Sequence, residues 1–356
     1  MVLSTTVEVA ASVAGLPADA RAWMDQAGQS DVEAGTAWFA NLQGTVYPGH
    51  AGIRFYLLRL HGLPAALLPL RLERAGSGWH GYALANFYTT LYQPLVASDV
   101  DAAALAVLLA AVEADFAGIA TLKLAPIDPV APAYQRWLAA LRLRSWSAFD
   151  YFAFGNWYLP VTMTWPAYLA SRDGMLRNTI KRMGKKFAAH GGRLQLVEGG
   201  QELEAAIAAY GQVYGASWKQ PEPYPDFMPG LLRACARHGT LRLGLAWLDG
   251  RPVAAQVWIV SGGRAAIYKL AYDETAKAHA PGTLLTALLM QHVIEVDQVR
   301  EVDYLMGDDL YKQAWMSHRR ERRGIIAYRR GTWRGLAGWL REVAGRAARR
   351  LQYRQR

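Results

Sequence analysis

The chain has 356 residues, of which 52% are hydrophobic, and a formal net charge of +10. This length and apolar content allow a large buried core and predict two domains. The single cysteine, Cys235, excludes a disulfide framework and a thiolate zinc cluster, so we expect a reducing compartment, the cytoplasm. No Lys or Arg precedes the first apolar run, and no apolar stretch reaches the roughly 18 residues of a membrane-spanning helix. We therefore expect neither a signal peptide nor a spanning segment.

Residues 1–165 predict an α/β lobe. Its strands alternate apolar and polar residues between Gly-containing turns, and its first helix follows Leu16-Pro17. In chain order we expect a strand and a helix within 1–40, strands 52–60 and 63–70 joined at His61-Gly62, a third strand after the turn 75–78, a helix 99–114, a strand 121–125, a helix around 137–141 and an aromatic-rich strand 149–159.

Residues 166–200 predict a basic linking helix, and residues 201–330 repeat the architecture of the first lobe. We expect helices 201–218 and 227–238, then strands 240–247 and 252–260 joined at Asp249-Gly250. The segment LRLHGLPAALLPL near residue 60 is echoed by AWLDGRPVAAQVWIV near residue 250. A duplicated α/β unit is the simplest interpretation.

Residues 331–356 predict a basic amphipathic tail. From residue 312 to the end there are 14 Lys or Arg and two acidic residues, whereas the rest of the chain is about neutral. We expect the tail to lie on an anionic membrane surface, at the inner face of the membrane; packing of its apolar face on the protein's own second half is the alternative. The apolar positions of the tail are Trp333, Leu336, Leu340, Val343, Ala347 and Leu351.

The second half contains a candidate anion-binding crevice. A strand over 265–272 leads through a polar loop to Pro281-Gly282-Thr283 and a long apolar helix. A second strand over 301–306 ends at Gly307-Asp308-Asp309, which suits the start of a helix over 310–315. Strand ends beside an open helix N-terminus form an anion site. The first half has no Pro-Gly-Thr at the matching place, so only the second copy is expected to hold a cofactor.

Several of these segments together resemble a known family. KLAYDE, APGTLLTALL, VDYLMGDDLYKQAW, RRERRG, LRNTIKR and SWKQPEPYPDF are similar to the GNAT-type acyltransferases of the FemAB-like branch, which is linked by name to bacterial cellulose and exopolysaccharide biosynthesis. The resemblance implies an α/β fold of two tandem GNAT-like lobes with mixed, mostly antiparallel sheets flanked by helices. It also implies an acyl-CoA cosubstrate, such as acetyl-CoA, and an amine or hydroxyl acceptor. An aminoacyl-tRNA donor is a variant.

The resemblance assigns the cofactor to two parts of the crevice. The backbone N–H groups of Gly282, Thr283 and Leu284 would be free at the helix start and could donate to pyrophosphate; an ordinary helix start is the alternative. The backbone of Leu270 and Ala271 would hold the acyl carbonyl. The chain departs from the family where Ala280 replaces the expected Ser, and where the Gly-rich loop is reduced to Gly282.

Candidate catalytic residues follow the second strand. Tyr311 stands where GNAT enzymes commonly place a tyrosine acid, and could protonate the leaving CoA thiolate. Asp308, before Asp303, could accept the proton of the attacking amine. In the alternative interpretation the carboxylates cap the next helix and Tyr311 is a core aromatic.

Candidate substrate-binding residues surround the crevice. Alternation places Tyr268 on one strand face with Leu270, and Lys269 on the other, where it could meet phosphate or an acidic acceptor or be solvated. Trp218 and Lys219 begin a stiff Pro-rich loop that could line the acceptor pocket or only connect helices. Arg177 of the basic helix could contact the cofactor's 3′-phosphate or an anionic acceptor, although a charge run is usually a solvated face.

Other chemistries lack their motifs. The sequence has no His-Glu-x-x-His, no Gly-x-Ser-x-Gly and no Walker loop, so hydrolase, metal and nucleotide-triphosphatase functions are excluded. Nucleic-acid binding is disfavoured because the positive charge is terminal. Two hypotheses remain: an acyl-CoA-dependent acyltransferase, and a non-catalytic GNAT-like accessory module that binds an anionic glycan or a membrane surface.

Overall fold

The computed structural model describes residues 5–76 and 78–354, the last five without their side chains. Ser77 of the predicted turn and the side chain of Leu351 therefore lie outside the described residues. The strands are β1 (Thr5–Ala10), β2 (Ile53–Leu60), β3 (Leu63–Ala75), β4 (Gly78–Ala83), β5 (Leu95–Val96), β6 (Ile119–Ile127), β7 (Trp146–Pro160), β8 (Arg193–Val197), β9 (Leu241–Leu248), β10 (Arg251–Ser261), β11 (Arg264–Tyr272), β12 (Glu301–Met306) and β13 (His318–Arg329). The α-helices are α1 (Ala18–Ser30), α2 (Thr36–Thr45), α3 (Ala102–Asp115), α4 (Pro132–Leu143), α5 (Trp165–Ala170), α6 (Gly174–Ala189), α7 (Leu203–Gly215), α8 (Phe227–Arg237), α9 (Pro281–Glu295), α10 (Leu310–Trp315) and α11 (Trp333–Arg354).

The duplicated unit is visible in the strand order of one continuous sheet. In the first lobe β1, β2, β3 and β4 are antiparallel neighbours, and β6 is parallel to β4. In the second lobe β8, β9, β10 and β11 repeat this arrangement, with β12 parallel to β11. The two equivalent hairpins turn at His61-Gly62 and Asp249-Gly250, and all four residues have positive φ, as in a two-residue type I′ turn. The α/β class and the two-lobed architecture expected from the sequence are confirmed.

Each lobe is completed by a strand that lies next to the other lobe in sequence. β7, which follows the first lobe in sequence, pairs with β12 of the second lobe, and β13, which follows the second lobe, pairs with β6 of the first. β7 and β13 pair with each other and close the sheet between the lobes. The predicted domain limits remain a prediction, since the lobes share strands across them.

Strand β13 was not predicted, because RRERRG lacks the apolar alternation of a buried strand. Its arginines are instead neutralised by carboxylates from other strands and loops: Arg320 pairs with Glu301, Arg322 with Asp128 and Arg323 with Asp150. Helices α2 and α5 and strand β8 were also missed. Predicted helix 201–218 ends earlier, at Gly215, and leaves Trp218 in a loop.

An apolar cluster joins the lobes on one side of the sheet. It combines α1 and α2 of the first lobe with α7 and α8 of the second. The ring centroid of Phe227 lies 4.0 Å from that of Tyr88 and 5.5 Å from that of Trp38. Aromatic packing of this kind adds about 0.5–1.5 kcal/mol per pair beyond area burial. The two lobes are thus held in a fixed relation around the crevice.

The tail helix α11 packs on β13 and β6 with its glycine side, not with its apolar stripe. A Cβ on Gly338 would lie 2.7 Å from the Tyr328 ring, so glycine permits the close approach. Trp333, Leu336 and Leu340 are 70%, 41% and 53% exposed. The alternative in which this stripe packs on the second half is wrong. Among the described residues no helix is long and apolar enough to cross a membrane.

Candidate active site

The crevice lies where β11 and β12 separate. The two strands are paired in parallel along Arg264, Ala265 and Ala266, and beyond this point a cavity of about 330 Å³ opens between them. Two irregularities accompany the separation. Tyr268 is an extra residue opposite the Val257–Trp258 step of β10, and Leu305 of β12 has a φ of +54°. Bulges bend a strand away from its neighbour, which explains the opening.

The cavity draws its lining from both lobes. The second lobe contributes residues of β11, β12, α10 and the loop after α7, and the first lobe contributes the segment 87–90. The polar and aromatic lining residues that matter below are Tyr88, Lys219, Lys269, Asp309, Tyr311 and Lys312. Phe87 and Tyr88 had not been predicted as site residues, because nothing in the sequence indicates that this segment of the first lobe reaches the second.

The start of α9 leaves two backbone N–H groups without acceptors. Ala280 precedes the helix with φ +50°, and its methyl side chain offers no cap. Within the described chain, the N–H groups of Gly282 and Thr283 have no hydrogen-bond acceptor. The prediction for Leu284 is wrong, because its N–H donates to the Ala280 carbonyl at 3.1 Å.

This helix start lies beside the end of β11. A Cβ on Gly282 would be 3.6 Å from the Tyr272 ring, and the Trp218 ring centroid is 4.6 Å from that of Tyr272. Gln256 of β10 donates to the Gly282 carbonyl at 2.9 Å and so fixes the helix on the sheet. Gly282 and Thr283 do not line the cavity itself. They form a separate corner at the end of β11.

Strand β11 presents the predicted backbone segment to the crevice. Beyond Ala266 it is unpaired on the β12 side, so backbone groups there are available to a ligand. Leu270 lines the cavity, whereas Ala271 is 2% exposed and packs in the cluster between the lobes. Alternation predicted that Tyr268 and Leu270 share one face of β11. This prediction is wrong. The bulge turns Tyr268 into the same apolar cluster as Ala271, where its hydroxyl donates to the Tyr88 carbonyl at 2.7 Å.

Tyr311 lies in the cavity wall. The residue is 48% exposed, and its ring stands edge-on to that of Tyr304, with 5.6 Å between ring centroids. Burial raises the pKa of Tyr311 to about 12, and the nearby Asp309 carboxylate adds to the shift. The phenol is therefore protonated at neutral pH and can donate a proton into the cavity.

Neither predicted carboxylate base lies in the cavity. Asp308 receives two hydrogen bonds of 2.7 Å from Arg319, which hold the pKa of its carboxyl below the ordinary value. Asp303 is fully buried; burial opposes ionisation, but Arg264 and Arg320 hold its pKa below the ordinary value. The carboxylate that does line the cavity is Asp309, 3.5 Å from the Lys312 ammonium. It makes no capping hydrogen bond to α10.

Three lysines line the cavity: Lys219, Lys269 and Lys312. Lys269 donates to Glu222 at 2.9 Å and lies 4.9 Å from the Tyr88 ring centroid, so it is not a solvated strand lysine. Burial, together with Lys269, lowers the pKa of Lys219 to about 8. Glu222, from the Pro-rich loop, also accepts a hydrogen bond from the Tyr88 hydroxyl. The loop thus ties the second lobe to the first at the cavity.

Arg177 is exposed on α6 and does not reach the cavity. The helix packs against α9 through Met183 and Phe187, and a Cβ on Gly184 would be 3.8 Å from Leu284. The exposed side of α6 carries basic residues that have no ion-pair partner among the described residues: Arg177, Lys181, Arg182 and Lys185. Near the end of the same helix, the Lys186 ammonium donates to the Ala278 carbonyl at 3.3 Å, shortly before α9 begins. No group of three metal-ligating His, Cys, Asp or Glu occurs in the described part of the chain.

Comparison with known proteins bears on this geometry. Residues 175–313 match the family model described as the acetyltransferase (GNAT) domain. The matched residues run from α6 through the crevice to α10, so the matched region contains the free helix start, the separated strands and Tyr311. No curated protein sequence matches the chain.

Solved structures are similar along both lobes. The structure of FemX has 11% identity and a TM-score of 0.60, with 86% of this chain and 95% of that chain covered. A conserved protein of unknown function from Bacteroides thetaiotaomicron has 12% identity and a TM-score of 0.55, covering 91% and 99%. The C-terminal domain of a candidate lysylphosphatidylglycerol synthetase from Agrobacterium fabrum has 14% identity and a TM-score of 0.52, covering 89% and 93%. The fold is that of two tandem GNAT-like lobes.

Proposed function

We propose that the protein is an acyltransferase that moves an acetyl or longer acyl group from acyl-CoA to an amine or hydroxyl acceptor. The observation that carries the proposal is the position of two features along β11: two free N–H groups at the start of α9 lie beside the end of this strand, and Tyr311 stands in the wall of the cavity that the strand lines. The free N–H groups suit the pyrophosphate of a donor, and the Tyr311 hydroxyl suits the leaving group of the same donor.

The proposed reaction uses the following residues. Gly282 and Thr283 donate to pyrophosphate oxygens, and the unpaired backbone of β11 near Leu270 positions the acyl thioester. The acceptor's nitrogen or oxygen forms a bond to the acyl carbon, the C–S bond breaks, and the Tyr311 hydroxyl gives its proton to the sulfur. Asp309 takes the acceptor's proton in place of Asp308 and Asp303. The basic side of α6, with Arg177, faces the 3′-phosphate of the donor.

We propose a cell-envelope or exopolysaccharide acceptor. Support comes from the family resemblance of the motifs and from the fold shared with FemX and with a domain named for lysylphosphatidylglycerol synthesis. An aminoacyl-tRNA donor is the variant of this proposal, because the unpaired basic residues of α6 would suit either polyanionic carrier.

We further propose that α11 docks on an anionic membrane surface. Its exposed stripe begins at Trp333 and continues through Leu340 and Val343, which is 40% exposed. Exposed arginines, including Arg341 and Arg349, flank the stripe. An amphipathic helix with this distribution buries its apolar side at the headgroup boundary while arginines meet lipid phosphates. The crevice would then work close to envelope precursors.

Release of free thiol from acyl donors tests the enzyme proposal. The full chain is incubated with acetyl-CoA or longer acyl-CoAs and with amino sugars, polyamines or glycans, and thiol is measured against a no-acceptor control. We expect acceptor-dependent release. If no acyl-CoA is consumed but aminoacyl-tRNA is, the donor variant replaces acyl-CoA. Binding of glycan without consumption of either donor would favour the non-catalytic module.

A further inference from the structure

Three of the eight lysines of the chain line the cavity of the second lobe. Lys219 lies in the loop after α7, Lys269 on β11 and Lys312 on α10. The proposed reaction brings an acyl thioester into this cavity, and a lysine amine is itself an acyl acceptor. An amine attacks a carbonyl carbon through the lone pair of its neutral nitrogen, so the partners of each nitrogen decide which lysine can react.

Two of these lysines have nitrogens that are engaged by acceptors of the protein. The Lys269 ammonium donates to the Glu222 carboxylate at 2.9 Å, and this hydrogen bond needs a proton on the nitrogen. Lys312 is 4% exposed; its nitrogen donates to the Met306 carbonyl and lies 3.5 Å from the Asp309 carboxylate. Burial lowers the pKa of Lys312, but these contacts hold its nitrogen at the end of β12.

The Lys219 nitrogen has no such partner. Among the described residues it makes no hydrogen bond and no ion pair. The nearest groups named for it are the rings of Tyr214 and Trp218, whose centroids lie 5.7 Å and 5.9 Å from the nitrogen. The residue is half-buried, and the nitrogen keeps accessible surface. A molecule in the cavity can therefore reach it.

The surroundings of Lys219 also favour its neutral form. Burial lowers the pKa of Lys219 to about 8, and the charges of Lys269 and Lys312 add to this shift, whereas Glu222 and Asp309 oppose it. At pH 7 roughly a tenth of the Lys219 side chains are then neutral, against fewer than about one in a thousand for a lysine with the ordinary pKa of about 10.4. Lys219 thus combines an unengaged nitrogen with an available lone pair.

We propose that Lys219 is a site of self-acylation, at which the protein transfers the acyl group of its bound donor to its own side chain when no acceptor fills the cavity. The Lys219 nitrogen forms a bond to the acyl carbon and the C–S bond breaks. The nitrogen loses one proton, and the sulfur gains one from the Tyr311 hydroxyl, which is reprotonated from solvent. The products are an N-acyl lysine and free CoA. The step rests on the proposed acyl-CoA function.

An amide at Lys219 changes the cavity in two ways. It removes a positive charge that acts on Lys269 and Lys312, and it places the acyl group within a cavity of only about 330 Å³. That volume is at the lower end of small-molecule pockets, so little room remains for an acceptor. Self-acylation would therefore silence transfer to other acceptors.

Peptide mass spectrometry of the full chain, after incubation with acetyl-CoA and no acceptor, tests the proposal. Acetyl occupancy is followed at each lysine, and Lys181, which is exposed on α6, is the internal reference for uncatalysed acetylation. A parallel sample contains excess free CoA as a competitor. Lys219→Arg keeps the positive charge but cannot form the amide, and a thermal melt establishes that it is folded.

A second reagent measures the amine without the donor site. The N-hydroxysuccinimide ester of acetic acid is small and uncharged, and it acetylates neutral amines without needing a CoA site. Its rates at Lys219 and Lys181 report whether the Lys219 nitrogen is accessible and neutral. Calorimetric titration with CoA reports separately whether the donor binds.

We expect both reagents to acetylate Lys219 at least about tenfold faster than Lys181, because its neutral fraction is larger. Free CoA should suppress the reaction of Lys219 with acetyl-CoA but not that of Lys181. If CoA binds and Lys219 reacts no faster than Lys181, or if free CoA gives no protection, self-acylation is wrong while the proposed donor stands. If CoA does not bind and Lys219 is not acetylated by acetyl-CoA, both proposals fail.

Discussion

The carboxylate of Asp303 accepts a hydrogen bond of 2.7 Å from the backbone N–H of Leu305, the residue of β12 that has left-handed backbone geometry. A non-glycine residue in that region costs about 1–2 kcal/mol, and a bulky one is rare within a strand. Asn156 holds the other side of Leu305 by donating to its carbonyl at 2.9 Å. Since Leu305 lines the crevice, Asp303 shapes the cavity from behind and does not enter it.

Replacement of Asp303 by asparagine tests this positioning role. Asp303→Asn keeps the shape of the side chain but leaves Arg264 and Arg320 without part of their counter-charge, so we expect the free energy of unfolding to fall by about 3–5 kcal/mol. Asp308→Asn, at an exposed ion pair, should cost less than about 1 kcal/mol. Urea denaturation measures both. An Asp303→Asn protein that is as stable as the wild type but lacks turnover would restore Asp303 as the base.

Tyr311→Phe removes the hydroxyl and keeps the ring against Tyr304. If Tyr311 protonates the leaving thiolate, turnover should fall by roughly 10² or more, while CoA affinity is unchanged. Tyr158→Phe, on β7 and away from the cavity lining, is the matched control. Steady-state thiol release and CoA titration are the measurements. Full turnover in Tyr311→Phe would make this tyrosine a packing residue.

The lowered pKa of Lys219 predicts a specific pH dependence of stability. Its pKa is about 8 in the folded protein and about 10.4 in an unfolded chain, so the unfolded chain binds more protons between these values. The contribution of Lys219 to the free energy of unfolding should therefore rise as the pH increases from about 8 to about 10.4. Below pH 8 the charged ammonium is buried in the folded protein, and the full cost of burying it is present. Lys219→Met should be the more stable protein at pH 7, with the advantage shrinking towards pH 10.

Urea midpoints at several pH values measure this difference, with Lys181→Met, exposed on α6, as the control. A constant difference between wild type and Lys219→Met from pH 7 to pH 10 would show that Lys219 has an ordinary pKa.

The sequence predicted elements where local signals are strong. The bounds of β12 and α10 agree with the prediction, because apolar alternation ends at Gly307, whose φ of +112° only glycine adopts readily. Strand β13 escaped prediction since the partners of its arginines, such as Asp128 and Asp150, are distant in sequence. These neutralising carboxylates are visible only once the sheet is assembled.

Only those parts of the candidate site that depend on local sequence signals were predictable. A free helix start follows from Pro281-Gly282 and from the absence of a capping side chain at Ala280, and both are local features. The face of Tyr268 was mispredicted because a bulge shifts alternation by one residue. Alternation places Asp303 inside, but it does not distinguish a cavity from a buried ion-pair network.

The exposed stripe of α11 predicts binding to anionic vesicles. Leu336→Glu combined with Leu340→Glu should abolish co-sedimentation without unfolding the chain, because both side chains are exposed. Val130→Glu, at a position that is 85% exposed on the first lobe, is the matched control. Bound protein should dissociate as salt rises, since arginine–phosphate attraction is screened. Equal sedimentation with neutral vesicles, or none with anionic ones, would contradict electrostatic docking.

Calorimetric titration of CoA against the wild type and Gly282→Asp tests the central claim most directly. Asp at the start of α9 is favourable for the helix itself but places a carboxylate where pyrophosphate would accept from Gly282 and Thr283. Gly211→Asp, on a side of α7 with open space, is the matched control. We predict saturable binding by the wild type and by Gly211→Asp, and a loss of about tenfold or more in Gly282→Asp, equivalent to about 1.4 kcal/mol. Equal CoA affinity in a folded Gly282→Asp protein, or no binding by the wild type, would contradict it.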